Sequence, residues 1–245
     1  MVWRGSVSVM VTVLESTGSV LDAAWRMVAE SRFSVFDALI AHEQTAGRGQ
    51  YGRTWISPKG NVYVAIRLPA EAPFDNTEAA IALSCCIAAM LSDFGFEVKI
   101  KWANDLVIGG GKVAGILLEQ KGDRLIAGIG INLAFCPDPL ALRQDAALPA
   151  VCLRDIDLEQ AAALTPEMIV ENLVKRLKNL DLKHFAGLWR MQALSRLLWL
   201  HETVCMEMDG SVLTGVLAGI DERGGVLLAT QDGMKVCRRG AMRKA

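Results

Sequence analysis

From Val7 to Leu14 apolar and polar residues alternate, with Val7, Val9, Val11 and Val13 on one face, which is the period of a strand. Glu15-Ser16-Thr17-Gly18-Ser19 breaks the alternation and offers capping hydroxyls, and Leu21, Trp25 and Val28 follow at helical spacing. Phe33 to His42 reads as a second strand, and Val62, Val64, Ile66 and Leu68 alternate as a third, so the polar stretch between them joins two strands. Asp75 with Glu78 marks a helix start, and Ala79 to Phe94 is an apolar helix ended by Gly95. Glu97 to Trp102 and Lys112 to Gln120 are strand-like, and Lys121-Gly122-Asp123 turns the latter into Arg124 to Leu133 as a hairpin. From Phe135 to Leu153 the prolines and the loss of period predict an irregular connection. Thr165-Pro166-Glu167 opens a helix with Ile169, Leu173 and Leu177 on one face, and Phe185, Leu188 and Trp189 mark another.

After Leu200 the period changes. Thr203 to Met208, Val212 to Ile220, Val226 to Thr230 and Met234 to Arg238 are short strands separated by Asp209-Gly210, Arg223-Gly224-Gly225 and Asp232-Gly233. That is an all-β unit of SH3-like size, which divides the chain into residues 1–197 and 198–245.

The 245-residue chain suits one large unit with a small one, and its 52% hydrophobic and 22% charged residues are an ordinary globular composition. A net charge of −1 excludes a general nucleic-acid-binding surface, which needs a basic excess. No apolar run is long enough for a membrane helix, and the N-terminus reads as a strand rather than a signal peptide. The cysteines at 85, 86, 136, 152, 205 and 237 form no CxxC and do not cluster with the histidines, so the expectation is reduced thiols in a cytoplasmic protein, without a zinc site.

Candidate chemistry concentrates in Glu43 to Tyr63, which holds glycines at 47, 49, 52 and 60, Arg48, Arg53, Lys59 and Trp55. Gly47 to Gly52 satisfies G-x-G-x-x-G, but the sequel Arg53-Thr54-Trp55-Ile56-Ser57-Pro58 has no helical period, so no helix N-terminus would face a pyrophosphate. Gly109-Gly110-Gly111-Lys112 is followed by Val113, which denies a P-loop its metal-binding hydroxyl. A better account has four strand-end segments converging: Ser16-Thr17, the Gly/Arg stretch, Lys101 to Asp105 continuing into Lys112 to Leu117, and Gly128 to Asn132. Hydroxyls, cations, a carboxylate and exposed backbone suit the joining of a carboxylic acid to a nucleotide, with a metal bridging the phosphates. His42, His184 and His201 are scattered and read as ordinary surface or core residues.

These segments together resemble the biotin protein ligases. Gln44 to Trp55 resembles their Q-x-A-G-R-G-R-x-G-R-x-W loop, Lys101-Trp102-Ala103-Asn104-Asp105 their K-W-P-N-D, Lys112 to Leu117 their K-x-x-G-I-L, and Gly128 to Asn132 their G-x-G-I-N. The resemblance implies an α+β fold, a mixed central sheet flanked by helices as in the class II synthetase-like biotin/lipoate ligases, with a small C-terminal SH3-like barrel. It implies ATP-dependent activation of biotin as biotinyl-5′-AMP and transfer to a lysine of a biotin carboxyl carrier domain. By the same resemblance, Lys112, Arg48 and Asp105 would be catalytic. Ser16, Thr17, Gln44, Gly47, Arg48, Gly49, Lys112, Gly115, Leu117, Gly128 and Gly130 would bind biotin, and Gln50, Arg53, Trp55, Lys101, Asn104 and Asn132 the nucleotide. Mg²⁺ would accompany ATP, with no metal ligands assigned. Trp102 reads as core, and Lys101 alternatively as a solvated strand-end charge. Ser16-Thr17 reads alternatively as a plain helix cap.

The sequence departs from the family at Gln50, where an arginine associated with retention of the adenylate is usual, and at Ala103 in place of proline. Because a catalytic-type strand begins within the first ten residues, the expectation is a form without a DNA-binding domain, acting on neither DNA nor membranes, and free to form a homodimer. Two other readings stay open at this point: a lipoate- or octanoate-type protein ligase, and a biotin-binding protein that has lost turnover.

Overall fold

Alternation of apolar residues builds the larger of two sheets in the computed structural model, which describes residues 10–75, 77–137, 148–208 and 210–245. Val7 and Val9 of the first predicted strand, residues 138–147 of the irregular connection and Asp209 of a predicted turn lie outside that range. The larger sheet has the order β1-β2-β3-β7-β6-β5-β4, comprising β1 (Val11–Leu14), β2 (Ala38–Ala41), β3 (Val62–Leu68), β4 (Lys99–Lys101), β5 (Asp105–Ile108), β6 (Gly111–Lys121) and β7 (Arg124–Ile131). Only the β1–β2 pair is parallel, with helix α1 (Val20–Ala29) crossing over between those strands; the remaining pairs are antiparallel, those from β4 to β7 through tight turns. The β6–β7 hairpin turns at Gly122, whose φ of +61° suits glycine, and runs in register from Lys121↔Arg124 to Ala114↔Ile131.

Each face of this sheet buries different helices. On one side α1 lays Leu21, Trp25 and Val28 over Leu39, Tyr63, Ala65 and Ile126. The opposite side packs α2 (Ala79–Asp93), α5 (Pro166–Lys178) and α6 (Leu182–Arg196). Helix α2 is apolar all round because α5, α6 and the sheet enclose it, and Gly95 follows it with φ +81°. Thr165 caps α5 by accepting a hydrogen bond from Met168 N, with Pro166 in the first turn.

Several expected elements take other bounds. The second strand is shorter than Phe33 to His42, since Asp37 turns the chain by accepting hydrogen bonds from Met10 N and Ser34 N. Glu78, expected with Asp75 to mark the helix start, directly precedes α2 and makes no side-chain cap to it. Strand β5 and the short helices α3 (Leu153–Ile156) and α4 (Leu158–Ala162) were not legible in the period.

The C-terminal sheet is antiparallel throughout, with order β11-β10-β9-β8-β12: β8 (Thr203–Met208), β9 (Ser211–Ile220), β10 (Val226–Thr230), β11 (Gly233–Cys237) and β12 (Ala241–Lys244). Its buried Val204, Met206, Leu217 and Met242 belong to the same apolar core as α2 and α6. Leu198 N donates to Ile100 O at 2.9 Å, Trp102 Nε1 to Gly224 O at 2.8 Å and Thr77 Oγ1 to Arg223 O at 2.6 Å, so the two sheets meet along a hydrogen-bonded seam.

Candidate active site

The Gly/Arg stretch forms a small hairpin lying on the α1 side of the larger sheet. Trp55 N donates to Gly47 O at 2.9 Å and Gly49 N to Arg53 O at 2.7 Å, around a 3₁₀ turn at Gln50–Gly52 with Tyr51 72% exposed at its tip. No helix follows, in agreement with the rejection of a dinucleotide fingerprint. The hairpin sets the Trp55 indole on a floor of two glycines, Gly115 of β6 and Gly130 of β7, which face each other across the strand pair. A Cβ at Gly130 would come within 2.5 Å of the indole, and one at Gly115 within 3.1 Å of it and 3.2 Å of Lys112 Nζ. Glycine at both positions leaves the room that the flat indole occupies. The indole Nε1–H is buried without a partner among the described residues.

Beside this floor stands a cluster of charges. Lys112 Nζ lies 2.6 Å from one oxygen of Asp105, Lys101 Nζ 3.6 Å from the other, and Lys112 Nζ 5.1 Å from the Trp55 ring centroid. Antiparallel pairing of β5 with β6 makes the juxtaposition: Asp105 pairs with Gly115 and Val107 with Lys112, with a register shift between Leu106 and Val107. Asn104 secures the turn before β5 by donating from Nδ2 to Ile116 O at 2.6 Å. Lys101 is only 8% exposed rather than a solvated strand-end charge, and burial pushes its ammonium below the usual lysine range, opposed by the charge of Asp105. Trp102 is 4% exposed and belongs to the core, as expected.

Arg48 is clamped. It forms a two-pronged pair with Asp22 of α1 at 2.6 and 2.8 Å and reaches Glu119 of β6 at 3.1 Å, and these carboxylates raise its guanidinium further above its ordinary value. Glu119 also accepts from Trp25 Nε1 at 2.8 Å. Asp22, Trp25 and Glu119 were missed at the sequence level, although Glu119 shares the two-residue period of Gly115 and Leu117 on β6.

Residues 15–135 match the sequence pattern of the biotin/lipoate A/B protein ligase family. A biotin--[acetyl-CoA-carboxylase] ligase of Paracoccus denitrificans is 33% identical over 214 residues, covering 81% of this chain and 86% of that protein. This chain belongs to the biotin/lipoate A/B protein ligase family. The bifunctional ligase/repressor BirA of Escherichia coli is 29% identical, covering 81% of this chain and 63% of its own length, so the chain spans under two thirds of that relative. The biotin protein ligase of Aquifex aeolicus, solved in complex with biotin and ATP, superposes with a TM-score of 0.79 at 27% identity over 96% of this chain and 99% of that one. The α+β architecture of the family, with a mixed, helix-flanked sheet and a small C-terminal β unit, is the architecture seen here.

The other motif residues of this family member have varied placements. Thr17 pairs with Gln44 as a parallel bridge, and neither Ser16 nor Thr17 caps α1, whose N-cap is Ser19. The Gln44 side chain instead accepts from Val20 N at 2.9 Å and donates to Ser57 Oγ at 3.0 Å, so in this structure its amide is spent inside the protein. Gly47 is buried where a Cβ would meet Trp55 O at 2.4 Å, whereas Gly49 has ordinary room for one. Gly128 lies under Leu21 of α1, and its lack of a side chain admits the helix rather than a ligand; Leu117, its cross-strand partner, packs on the same cluster. Asn132 is 4% exposed and donates to Val151 O at 3.1 Å, tying β7 to the segment ahead of α3. Arg53 lies over the Tyr51 ring, 5.6 Å from its centroid, on the outside of the hairpin, and Gln50 opens the 3₁₀ turn half-buried.

A protein-held Mg²⁺ does not fit this arrangement. Mg²⁺ is usually held by a carboxylate or two together with substrate phosphates. Asp105, the carboxylate among the motif residues, has both oxygens engaged by lysine.

Proposed function

We propose that this chain is an ATP-dependent biotin ligase, which joins the biotin carboxylate to the α-phosphate of ATP and passes the biotinyl group to a lysine of a biotin carboxyl carrier domain of a biotin-dependent carboxylase. The observation that carries this reading is the Lys101–Asp105–Lys112 cluster set against the Gly115/Gly130 floor beneath Trp55. In the first step a carboxylate oxygen attacks the α-phosphorus, the new C–O–P linkage forms, and pyrophosphate leaves with the electron pair of the broken P–O bond. Two anions must approach, so a fixed ammonium between them stabilises the transition state more than either ground state. Lys112 fills that role, with Asp105 holding its Nζ in place and the buried charge of Lys101 keeping Asp105 from neutralising it completely. In the second step the carrier amine attacks the acyl carbon and AMP leaves.

With the Trp55 indole moved aside, the glycine floor would give a bicyclic ring a flat bed, and Ser16, Thr17 and the backbone of the hairpin would supply polar contacts to it. Arg48, held here by carboxylates, would turn to the ligand's anionic groups when the hairpin rearranges. Trp55, Lys101, Asn104, Asn132, Gln50 and Arg53 would serve the nucleotide, as the family motifs imply. Mg²⁺ would come bound to the phosphates. A cytoplasmic setting accords with six cysteines all present as thiols, and no helix among the described residues is long and apolar enough to cross a membrane.

Incubation with biotin, ATP and a carrier domain, read by intact mass and by pyrophosphate release, tests the assignment. Biotin-dependent release and a biotinylated carrier are expected. Release that depends on lipoate or octanoate instead would transfer the chain to the other branch of the family, and biotin binding without release would mark a protein without turnover.

A further inference from the structure

Away from the floor and its lysines, a second group of chemically capable side chains converges. Cys136, just past the end of β7, Cys152, just before α3, and Asp155 within α3 place their two sulfurs and a carboxylate oxygen all within 4.8 Å of one another. Among the described residues this is the one set of three His, Cys, Asp or Glu side chains gathered so closely. The sequence conceals it, because no CxxC occurs and the two cysteines are brought together only by the return of the chain from β7 to α3.

We propose that Cys136, Cys152 and Asp155 form a binding site for a thiolate-seeking divalent cation of the zinc class. Tetrahedral zinc, with Zn–S of about 2.3 Å and Zn–O of about 2.0–2.2 Å, sets neighbouring S and O ligands roughly 3.5 Å apart. The Cys136 thiol donates a hydrogen bond to Asp155 Oδ2 at 3.5 Å, a separation that a cation replacing the thiol proton would keep. Two sulfurs and one oxygen favour zinc over magnesium or calcium, which take oxygen ligands. Three protein ligands leave the fourth position to water, on the side where Asp155 is exposed.

The ligands are held in advance by the backbone around them. Phe135 N, next to Cys136, donates to Asn61 Oδ1 at 2.9 Å, and the same oxygen accepts from Leu133 N and Ala134 N. On either side of Cys152, Val151 N donates to Lys112 O at 3.0 Å and Leu153 N to Asn132 O at 2.9 Å. A cation here therefore fastens the end of β7 to the segment that pairs with Lys112, without touching the floor itself. Binding displaces one proton from each thiol to solvent, giving two metal–thiolate bonds and one metal–carboxylate bond. A disulfide between the same cysteines accounts for the sulfurs but leaves the carboxylate without a part.

The test uses the full chain, purified with a chelator and then freed of it, and titrated with Co²⁺ and afterwards Zn²⁺. One equivalent of Co²⁺ should produce a thiolate charge-transfer absorption that Zn²⁺ abolishes. Cys136→Ser should remove that absorption and weaken Zn²⁺ binding at least tenfold, Asp155→Asn should weaken it at least tenfold, and Cys205→Ser, a thiol in β8, should leave it unchanged. Circular dichroism of each variant separates lost ligation from lost fold, and Asp155→Asn, at an exposed position, serves if a cysteine variant fails to fold. Absence of the absorption, wild-type affinity in Cys136→Ser or Asp155→Asn, or recovery of a peptide linking Cys136 to Cys152 by a disulfide would overturn the proposal. The site stands independently of the ligase reading, because metal binding is read without biotin or ATP.

Discussion

Lys112 and Gly130 are the two residues on which the reading presses hardest. Replacing Lys112 by Ala removes the ammonium nearest the floor while leaving Asp105 paired with Lys101, so the fold should persist. Biotin-dependent pyrophosphate release should fall by about 10²–10³-fold or more, the scale on which preorganised charges act at a transition state. Activity within tenfold of the parent chain would remove Lys112 from the chemistry. Gly130→Ala tests the floor itself, since its Cβ would meet the Trp55 ring at 2.5 Å and the ring must move. Its tryptophan emission should shift, and calorimetry should show biotin bound at least tenfold more weakly; an unchanged spectrum and affinity would mean that Trp55 has slack. Much of this site was legible residue by residue, because glycine, lysine and aspartate in a fixed order announce backbone approach and charge. What was not legible is where side chains spend their hydrogen bonds. Gln44 turns inward to Val20 and Asn132 to Val151, and Lys101 is buried, because three-dimensional neighbours rather than sequence spacing decide those partners.

At the scale of elements, the long periodic segments announced themselves and the short ones did not. Helix α5 carries its start in Thr165-Pro166 and its face in Ile169, Leu173 and Leu177, all of which bury. Strands β5 and β12 are four residues each and are made by pairing with β6 and β8, which no local pattern encodes. His42 shows how elements are then tied. Its Nε2 lies 2.8 Å from Glu167 at the start of α5 and its Nδ1 3.5 Å from Glu15, itself 3.4 Å from Lys59. Hydrogen bonding to Glu167, then to Glu15, raises the imidazole above its ordinary value of 6.5, and the charge of Glu15 adds to this. A raised folded-state value means that the bond's stabilisation is fully present below pH 6.5 and is lost as pH rises through the folded-state value. Denaturant midpoints measured from pH 5.5 to 8.5 should therefore fall more in the parent chain than in His42→Gln. Parallel profiles would show that the pair contributes nothing to stability.

Over the whole molecule, the C-terminal sheet leans on the strand that leads to the turn bearing Asp105. Trp102, two residues before Asn104, donates its buried indole N–H to Gly224 O. Trp102→Phe keeps most of the ring but leaves that carbonyl unpaired, at a cost of about 1–3 kcal/mol. Urea midpoints should fall accordingly, and turnover with carrier should fall more than biotin affinity, since the turn bearing Asp105 loses its backing. Equal losses in both, or none, would make Trp102 a plain core residue. The seam that includes this bond, together with a hydrophobic core running from α2 into β8, β9 and β12, has a consequence for how the chain comes apart. The small sheet has no separate melting of its own to offer: heating should give a single calorimetric peak, and the amides of β4 should exchange with deuterium no faster than those of β8.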